Sequence, residues 1–152
     1  MSRKSSPNIK ILLDTSFLLP ILGFETSREV MNAFQKLYAY TLYYNDISIL
    51  ETLWKVVKII KGERSEIERI LEGIIAIRNT MEYAPINEKA VENSISMYKL
   101  GHRDMIDNLL YSIALSEGLR LLTVDKELIN FIEKHGLPRQ YILTPKELTQ
   151  ID

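Results

Sequence analysis

The sequence predicts an α/β protein, with a three-layer α/β/α arrangement around a central parallel sheet of about five strands. Short apolar runs alternate along the chain with longer segments whose apolar residues recur at helical spacing. Strands that alternate with helices are typical of βαβ units, which place their strands parallel. The chain contains no repeat, low-complexity segment or linker, so residues 9–150 are expected to form a single domain.

The strands are predicted from short apolar runs that end at turn-forming or acidic residues. The first run ends at Asp14, the second at Asn45, and the clearest one at Asp125. The predicted strands are residues 9–13, 41–44, 81–86, 119–124 and 140–143.

The helices are predicted from apolar residues at spacings of three and four. Glycines end several of these segments, at Gly62, Gly101 and Gly118, and Gly136 with Pro138 ends a later one. A final helical turn follows Pro145. The expected buried faces are Val30, Met31, Phe34, Leu37 and Tyr38; Leu50, Leu53, Trp54, Val57 and Ile60; Ile67, Ile70, Leu71, Ile74 and Ile75; Ala90, Val91, Ser94, Ile95 and Tyr98; Ile106, Leu109, Leu110, Ile113 and Ala114; and Leu128, Ile129 and Ile132.

Composition limits the classes of function. The chain has 152 residues, of which 46% are hydrophobic, enough for a substantial core. Its 19 basic and 20 acidic residues give a net charge of −1, so any nucleic-acid partner must be held by local basic residues and metal rather than by bulk charge. The absence of cysteine excludes disulfides, zinc–thiolate sites and cysteine nucleophiles, and fits a reducing cytoplasm, the expected location. Residues 1–8 read as a flexible basic tail without the apolar region of a signal peptide, and no stretch is long enough to span a membrane.

Four acids are the most informative residues of the chain: Asp14, Glu51, Asp107 and Asp125. Asp14 and Asp125 end predicted strands, and the carboxyl ends of parallel strands meet at one edge of a sheet. Glu51 and Asp107 each follow the first apolar residue of a predicted helix, so each is expected to flank the buried face near the helix N-terminus. Asp104 lies on the same side as Asp107. Carboxylates crowded in this way repel one another unless a cation binds among them, and oxygen-only ligation suits Mg²⁺ or Mn²⁺.

Each acid also has an ordinary structural interpretation. Asp and Glu commonly start helices, and twenty acids in a chain of this length place some at strand ends by chance. The combination of all four in order favours a functional site over this interpretation.

Four segments resemble the motifs of PIN-domain ribonucleases. They are residues 11–16 (ILLDTS), 48–51 (SILE), 107–115 (DNLLYSIAL) and 118–125 (GLRLLTVD). The resemblance extends from residue 9 to about residue 145, and the toxins called VapC, from toxin–antitoxin pairs, are the most numerous small members of the family. Residues 61–80 are not diagnostic, and only some members carry an acid at Asp104.

The resemblance implies a metal-dependent endoribonuclease that uses one or two Mg²⁺ or Mn²⁺ ions. Asp14, Asp107 and Asp125 would hold the main ion, while Glu51, with Asp104 nearby, would hold a second ion or orient the attacking water. Thr15, Ser16 and Thr123 have hydroxyls that could bond the carboxylates or a phosphate, although strand-end turns use the same residues. Arg103 is a candidate contact for the RNA backbone, and equally a solvated surface charge.

The expected partners are RNA, an antitoxin and a second copy of the chain. A homodimer is expected because the early helices hold more large apolar residues than the core is expected to take: Phe17, Leu18, Leu19, Phe24, Tyr38, Tyr40 and Trp54. Two alternatives stay open, a housekeeping RNA-processing nuclease and a catalytically inactive binding module with the same fold.

Overall fold

A computed structural model of the protein describes residues 9–151. The basic tail predicted for residues 1–8 lies outside the described residues. Among residues 9–151, no helix is both long and apolar enough to cross a membrane.

The central sheet contains five strands in the order β3-β2-β1-β4-β5, and every neighbouring pair is parallel. The strands are β1 (Lys10–Leu13), β2 (Thr41–Tyr44), β3 (Glu82–Tyr83), β4 (Arg120–Leu122) and β5 (Ile142–Leu143). The chain builds outward from β1 in one direction through β2 and β3, then returns to the other side of β1 for β4 and β5. This reversal puts a topological switch point between β1 and β4, where ligands of open parallel sheets bind beyond the carboxyl ends of the strands.

Eight helices connect and cover the strands within the described part of the chain. They are α1 (Thr15–Leu18), α2 (Arg28–Phe34), α3 (Asp46–Val57), α4 (Arg64–Thr80), α5 (Glu88–Leu100), α6 (Met105–Glu117), α7 (Lys126–Lys134) and α8 (Pro145–Thr149). Short 3-10 helices occupy Leu19–Leu22, Leu37–Ala39 and Arg139–Tyr141.

Two hydrophobic clusters, one on each face of the sheet, make the three layers. Alternation along β1 sends Ile11 and Leu13 to one face and Leu12 to the other. The first cluster includes residues of α1 to α4 and α8, and the second includes residues of α5, α6 and α7. The predicted α/β/α fold with a parallel five-stranded sheet is therefore confirmed.

Residues 15–22 form α1 and a 3-10 helix. Phe17, Leu18 and Leu19 were expected to lie on the early helices, but the bounds of these helices were not predicted. Phe17 and Leu18, predicted to be surplus apolar surface, are completely buried. The buried side chain of Asp14 caps α1 and Pro20 lies in the first turn of the 3-10 helix, so local capping rather than periodicity defines this segment.

The predicted buried faces of several helices are wrong. Leu37 and Tyr38 lie beyond the end of α2; Leu37 is buried as predicted, but Tyr38 is 90% exposed. On α3, α4 and α5 the residues expected to be buried but found exposed are Leu50, Trp54 and Val57; Ile67, Leu71 and Ile75; and Val91, Ile95 and Tyr98.

Small and hydroxyl-bearing residues take some of the buried positions on these three helices, beside apolar residues such as Ile49, Ile70 and Met97. Ser48 and Thr52 bury their hydroxyls on α3 by donating to the backbone carbonyls of Asn45 and Ser48, and α4 and α5 similarly bury Gly73 and Ser94. Since these back-bonds satisfy the hydroxyls, the helices can pack through polar positions. Large apolar residues are consequently left on the outer faces.

Candidate functional site

Asp14 lies immediately after β1, at the switch point of the sheet. Its backbone N–H donates to the carbonyl of Leu122 at 3.2 Å, which continues the pairing of β1 with β4. The buried carboxylate accepts hydrogen bonds at 2.7 Å from the Thr15 N–H and at 2.7 Å from the Thr123 hydroxyl. Burial raises the pKa of Asp14, and the Glu51 carboxylate adds to the rise, while the bonds from Thr123 and Thr15 oppose it.

Thr123 joins two of the predicted acids. Its hydroxyl donates to Asp14 Oδ2 and accepts from the backbone N–H of Asp125 at 3.1 Å. Asp125 in turn caps α7 by accepting from the Leu128 N–H at 3.1 Å. One buried hydroxyl therefore fixes the position of Asp14 relative to the loop that carries Asp125.

Asp107 lies in the first turn of α6 and is 6% exposed. Burial raises its pKa far above the ordinary value, and a hydrogen bond to Asp125 and the charges of Asp14, Asp104 and Asp125 raise it further. The pKa of Asp125 is lowered, because the bonds from Asp107 and from the backbone N–H groups after it outweigh its burial. The direction of both shifts indicates that Asp107 carries a proton that it donates to the Asp125 carboxylate.

Asp104 is exposed and caps α6. Its Oδ1 accepts from the backbone N–H groups of Ile106 and Asp107 at 3.1 Å each. Asp104 therefore orients the first turn of the helix that carries Asp107, and its charge contributes to the raised pKa of Asp107.

Glu51 is on α3, with its side chain 21% exposed and 3.8 Å from the ammonium of Lys55. The argument that placed it beside a buried Leu50 is wrong because Leu50 is exposed; its neighbour Thr52 is the buried residue. Both Glu51 and Lys55 act electrostatically on Asp14, in opposite directions. Lys55 was missed in the sequence, where its spacing of four from Glu51 is the signal that would have found it.

His102 and Asn108 were also missed as supports of this region. The buried His102 Nδ1–H donates to Asn108 Oδ1 at 2.6 Å, and the Asn108 amide donates to the His102 carbonyl at 2.7 Å. This pairing closes the loop that leads into α6. It therefore fixes the position of the first turn of α6, which carries Asp107. The signal available in the sequence was that Asn108, a polar residue, directly follows the predicted ligand Asp107.

The three other predicted site residues lie in different surroundings. Thr15 is buried, and its Oγ1 has no hydrogen-bond partner among residues 9–151. Ser16 is half-buried on α1. Arg103 is exposed, with its guanidinium carbon 5.6 Å from the centre of the Tyr98 ring.

The donor chemistry of this region suits a hard divalent cation. No group of three or more histidine, cysteine or acidic side chains in residues 9–151 is arranged to hold a metal ion as it stands. The region nevertheless offers several oxygen donors, including the buried carboxyls of Asp14 and Asp107 and the buried hydroxyl of Thr123. Mg²⁺ keeps several waters and needs only one or two protein carboxylates, so this donor set fits it.

Comparisons with solved structures agree with the fold. The toxin–antitoxin complex from Klebsiella pneumoniae superposes with a TM-score of 0.62 at 19% identity, covering 89% of this chain and 97% of that one. PAE2754 from Pyrobaculum aerophilum gives 0.63 at 14% identity, with 96% and 97% covered. VapC20 from Mycobacterium tuberculosis, described as a sarcin–ricin loop cleaving toxin, gives 0.55 at 16% identity, with 85% and 97% covered.

Sequence comparison identifies the family. A search of curated proteins found no match. The model of the PIN domain matches residues 11–134, which include all four predicted acids and most of the chain. The chain therefore belongs to the PIN-domain family.

Proposed function

We propose that this protein is a metal-dependent endoribonuclease whose active site is built from Asp14, Glu51, Asp107 and Asp125. The observation that carries the proposal is the hydrogen-bonded link in which the Thr123 hydroxyl joins the buried Asp14 carboxylate to the backbone of Asp125, beside the buried Asp107. Burial and the neighbouring carboxylates raise the pKa of Asp107. Burying acids together is costly without a compensating partner. A divalent cation bound in place of the proton between Asp107 and Asp125 would be such a partner.

Each residue has a distinct proposed role. Asp14, Asp107 and Asp125 would hold the cation, directly or through water, and Thr123 would keep Asp14 oriented towards it. Glu51 would hold a second cation or orient the attacking water, with Asp104 supporting the turn that carries Asp107. When bound, Mg²⁺ or Mn²⁺ supplies Lewis-acid activation of water and of the phosphodiester. Thr15 and Ser16 remain proposed contacts for a carboxylate or phosphate.

Lys55 is added to this set as a local positive charge. The protein lacks a basic excess, and Lys55 lies close enough to Asp14 to lower its pKa. We infer that Lys55 offsets the charge of the carboxylates in the metal-free protein and is available to a substrate phosphate at the rim of the site.

RNA is the proposed substrate, and a toxin role is the proposed biological setting. Both are supported by the similarity in fold to a protein described as an RNA-cleaving toxin and to a toxin–antitoxin complex. A housekeeping RNA-processing nuclease would have the same site and differ only in its target. The inactive binding module is less well supported, because all four acids are present.

A homodimer and an antitoxin are the proposed protein partners. Phe17 and Leu18 are core residues and cannot contribute to a surface, but α3 and α4 expose other large apolar residues. These residues are Leu50, Trp54 and Val57 on α3, and Ile67, Leu71 and Ile75 on α4. Because large apolar faces often mark interaction surfaces, we propose that the dimer interface lies in the first half of the chain.

Cleavage of structured RNAs in the presence of Mg²⁺ or Mn²⁺ tests the function. The wild-type protein should cleave only with the cation, and Asp14→Asn should reduce the rate by more than about hundredfold, beyond the 10–100-fold loss typical of outer supporting groups. Glu117→Gln is the matched control, because it removes one negative charge from the far end of α6. Cleavage by Asp14→Asn at the wild-type rate would contradict the proposal.

A further inference from the structure

A small apolar hollow lies on the surface where α5 meets the beginning of α6. Its volume is about 250 Å³, and its lining consists of Ile95, Tyr98 and Met105. All three side chains are more than one third exposed, although two of them belong to a helix whose other face is packed in the core. The hollow thus leaves an aromatic ring and two flexible apolar chains open to a ligand.

The hollow lies at the same end of α6 as the candidate active site. Met105 is the first residue of α6, Asp104 caps the same helix, and Asp107 lies in its first turn. Met105 and Asp107 are two positions apart, so they face opposite sides of α6, about 200° around its axis and about 3 Å along it. A strand whose phosphate is held at Asp107 would therefore reach the hollow by crossing the amino end of α6.

Arg103 gives the hollow a positive edge. Its guanidinium lies over the Tyr98 ring, at 5.6 Å from the centroid, and it forms no ion pair within residues 9–151. This exposed guanidinium precedes Asp104 in the chain and leaves a positive charge at the edge of the Tyr98 ring. It complements the phosphate of a nucleic acid, and an arginine plane and an aromatic ring are both surfaces on which unpaired bases stack.

We propose that this hollow is a nucleobase subsite, in which one unstacked base of single-stranded RNA, next to the scissile phosphate, packs on Tyr98 between Ile95 and Met105. Arg103 covers the edge of the base and contacts the adjoining phosphate. This inference rests on the proposed ribonuclease function and deepens it, because it defines the substrate as a strand that can release a base from its stack.

A second copy of this chain is the main competing occupant. A stable protein interface buries about 800 Å² on each partner, which far exceeds a hollow lined by three side chains. A protein contact would also accept any apolar side chain at position 98, whereas base stacking requires an aromatic face. The substitution of Tyr98 can therefore separate the two occupants.

The test is binding of a labelled oligoribonucleotide, single-stranded or in a duplex, to proteins that all carry Asp14→Asn so that the RNA stays intact. Tyr98→Phe should bind the single strand within about twofold of the parent, and Tyr98→Leu should bind it roughly tenfold more weakly, with little change for the duplex. Tyr38→Leu is the matched control, because Tyr38 is 90% exposed and precedes the opposite, amino end of β2. Arg103→Gln, which removes the exposed guanidinium and its contact with the Tyr98 ring, should also weaken binding.

The outcomes separate the subsite from the function. Equal binding by Tyr98→Leu and Tyr98→Phe, in a protein whose wild type cleaves RNA, would overturn the subsite alone. A change in the sedimenting species with Tyr98→Leu would instead assign the hollow to a contact between copies and overturn it. If the wild type neither binds nor cleaves RNA, both the proposed function and the subsite are contradicted.

Discussion

At the scale of single residues, the candidate site depends on Thr123 as much as on the acids. Its hydroxyl is completely buried and bonds both the Asp14 carboxylate and the backbone of Asp125. The sequence predicted Thr123 as a support, but it could not distinguish this bond from ordinary turn chemistry, because the partner Asp14 is 109 positions away. Long-range partners of a short side chain are set by the topology of the sheet.

Thr123→Val should lower nuclease activity or cation affinity roughly 10–100-fold, the usual loss for an outer partner of a metal-binding residue. Valine keeps the size of threonine and removes only the hydroxyl, so Asp14 loses one of its orienting bonds. Cation titration and cleavage rates measure the effect.

Thr26→Val is the control for that variant, because the Thr26 hydroxyl is buried without a partner among residues 9–151. Its removal should leave activity unchanged. Equal behaviour of the two valine variants would contradict the role given to Thr123.

At the scale of elements, strands and caps could be predicted more successfully than helix faces. The strand 41–44 was predicted with the observed bounds, because an apolar run is closed by Asn45, whose side chain caps α3. The faces of α3 to α5 could not be predicted, because their buried positions include Ser48, Thr52 and Gly73. These small or polar residues are buried because neighbouring elements approach the helices closely. A pattern of hydrophobic residues in the sequence does not indicate such an approach.

Gly73 gives a direct test of that close approach. A Cβ at this position would lie 2.5 Å from Leu22 Cδ2 and 2.7 Å from the carbonyl oxygen of Ile21. Gly73→Ala should therefore destabilise the protein by about 1–3 kcal/mol, although alanine ordinarily stabilises a helix by about 1 kcal/mol relative to glycine.

Urea denaturation measures this change, with Asn79→Ala as the control, since Asn79 is an exposed position near the end of the same helix. A Gly73→Ala protein more stable than the wild type would show that α4 does not pack against residues 19–22 in the way described.

At the scale of the whole molecule, the fold leaves large apolar residues exposed on the outer faces of α3, α4 and α5. Trp54 is 57% exposed, and Leu50 and Val57 lie on the same side of α3. The acids and the fold class could be read from the sequence, whereas this surface became visible only when the structure showed which side of α3 faces the core.

Trp54→Lys should convert the proposed homodimer to a monomer at micromolar concentration. Central tryptophans of interfaces contribute about 2 kcal/mol or more, which is roughly thirtyfold in Kd. Sedimentation velocity measures the change, and Tyr38→Lys is the control for an exposed aromatic residue outside α3. A wild-type protein that sediments as a monomer would remove the dimer from this account.

The central claim is that the carboxylates of Asp14, Asp107 and Asp125 form a cation site in which a divalent ion takes the place of the proton on Asp107. Calorimetric titration with Mn²⁺ near pH 7, in buffers of different ionisation enthalpy, measures this exchange most directly. The account predicts release of about one proton for each ion bound by the wild type, because a ligand must lose its proton to bind metal, and much weaker binding without that release by Asp107→Asn. Absence of Mn²⁺ binding by the wild type, or equal binding and proton release by Asp107→Asn, would contradict it.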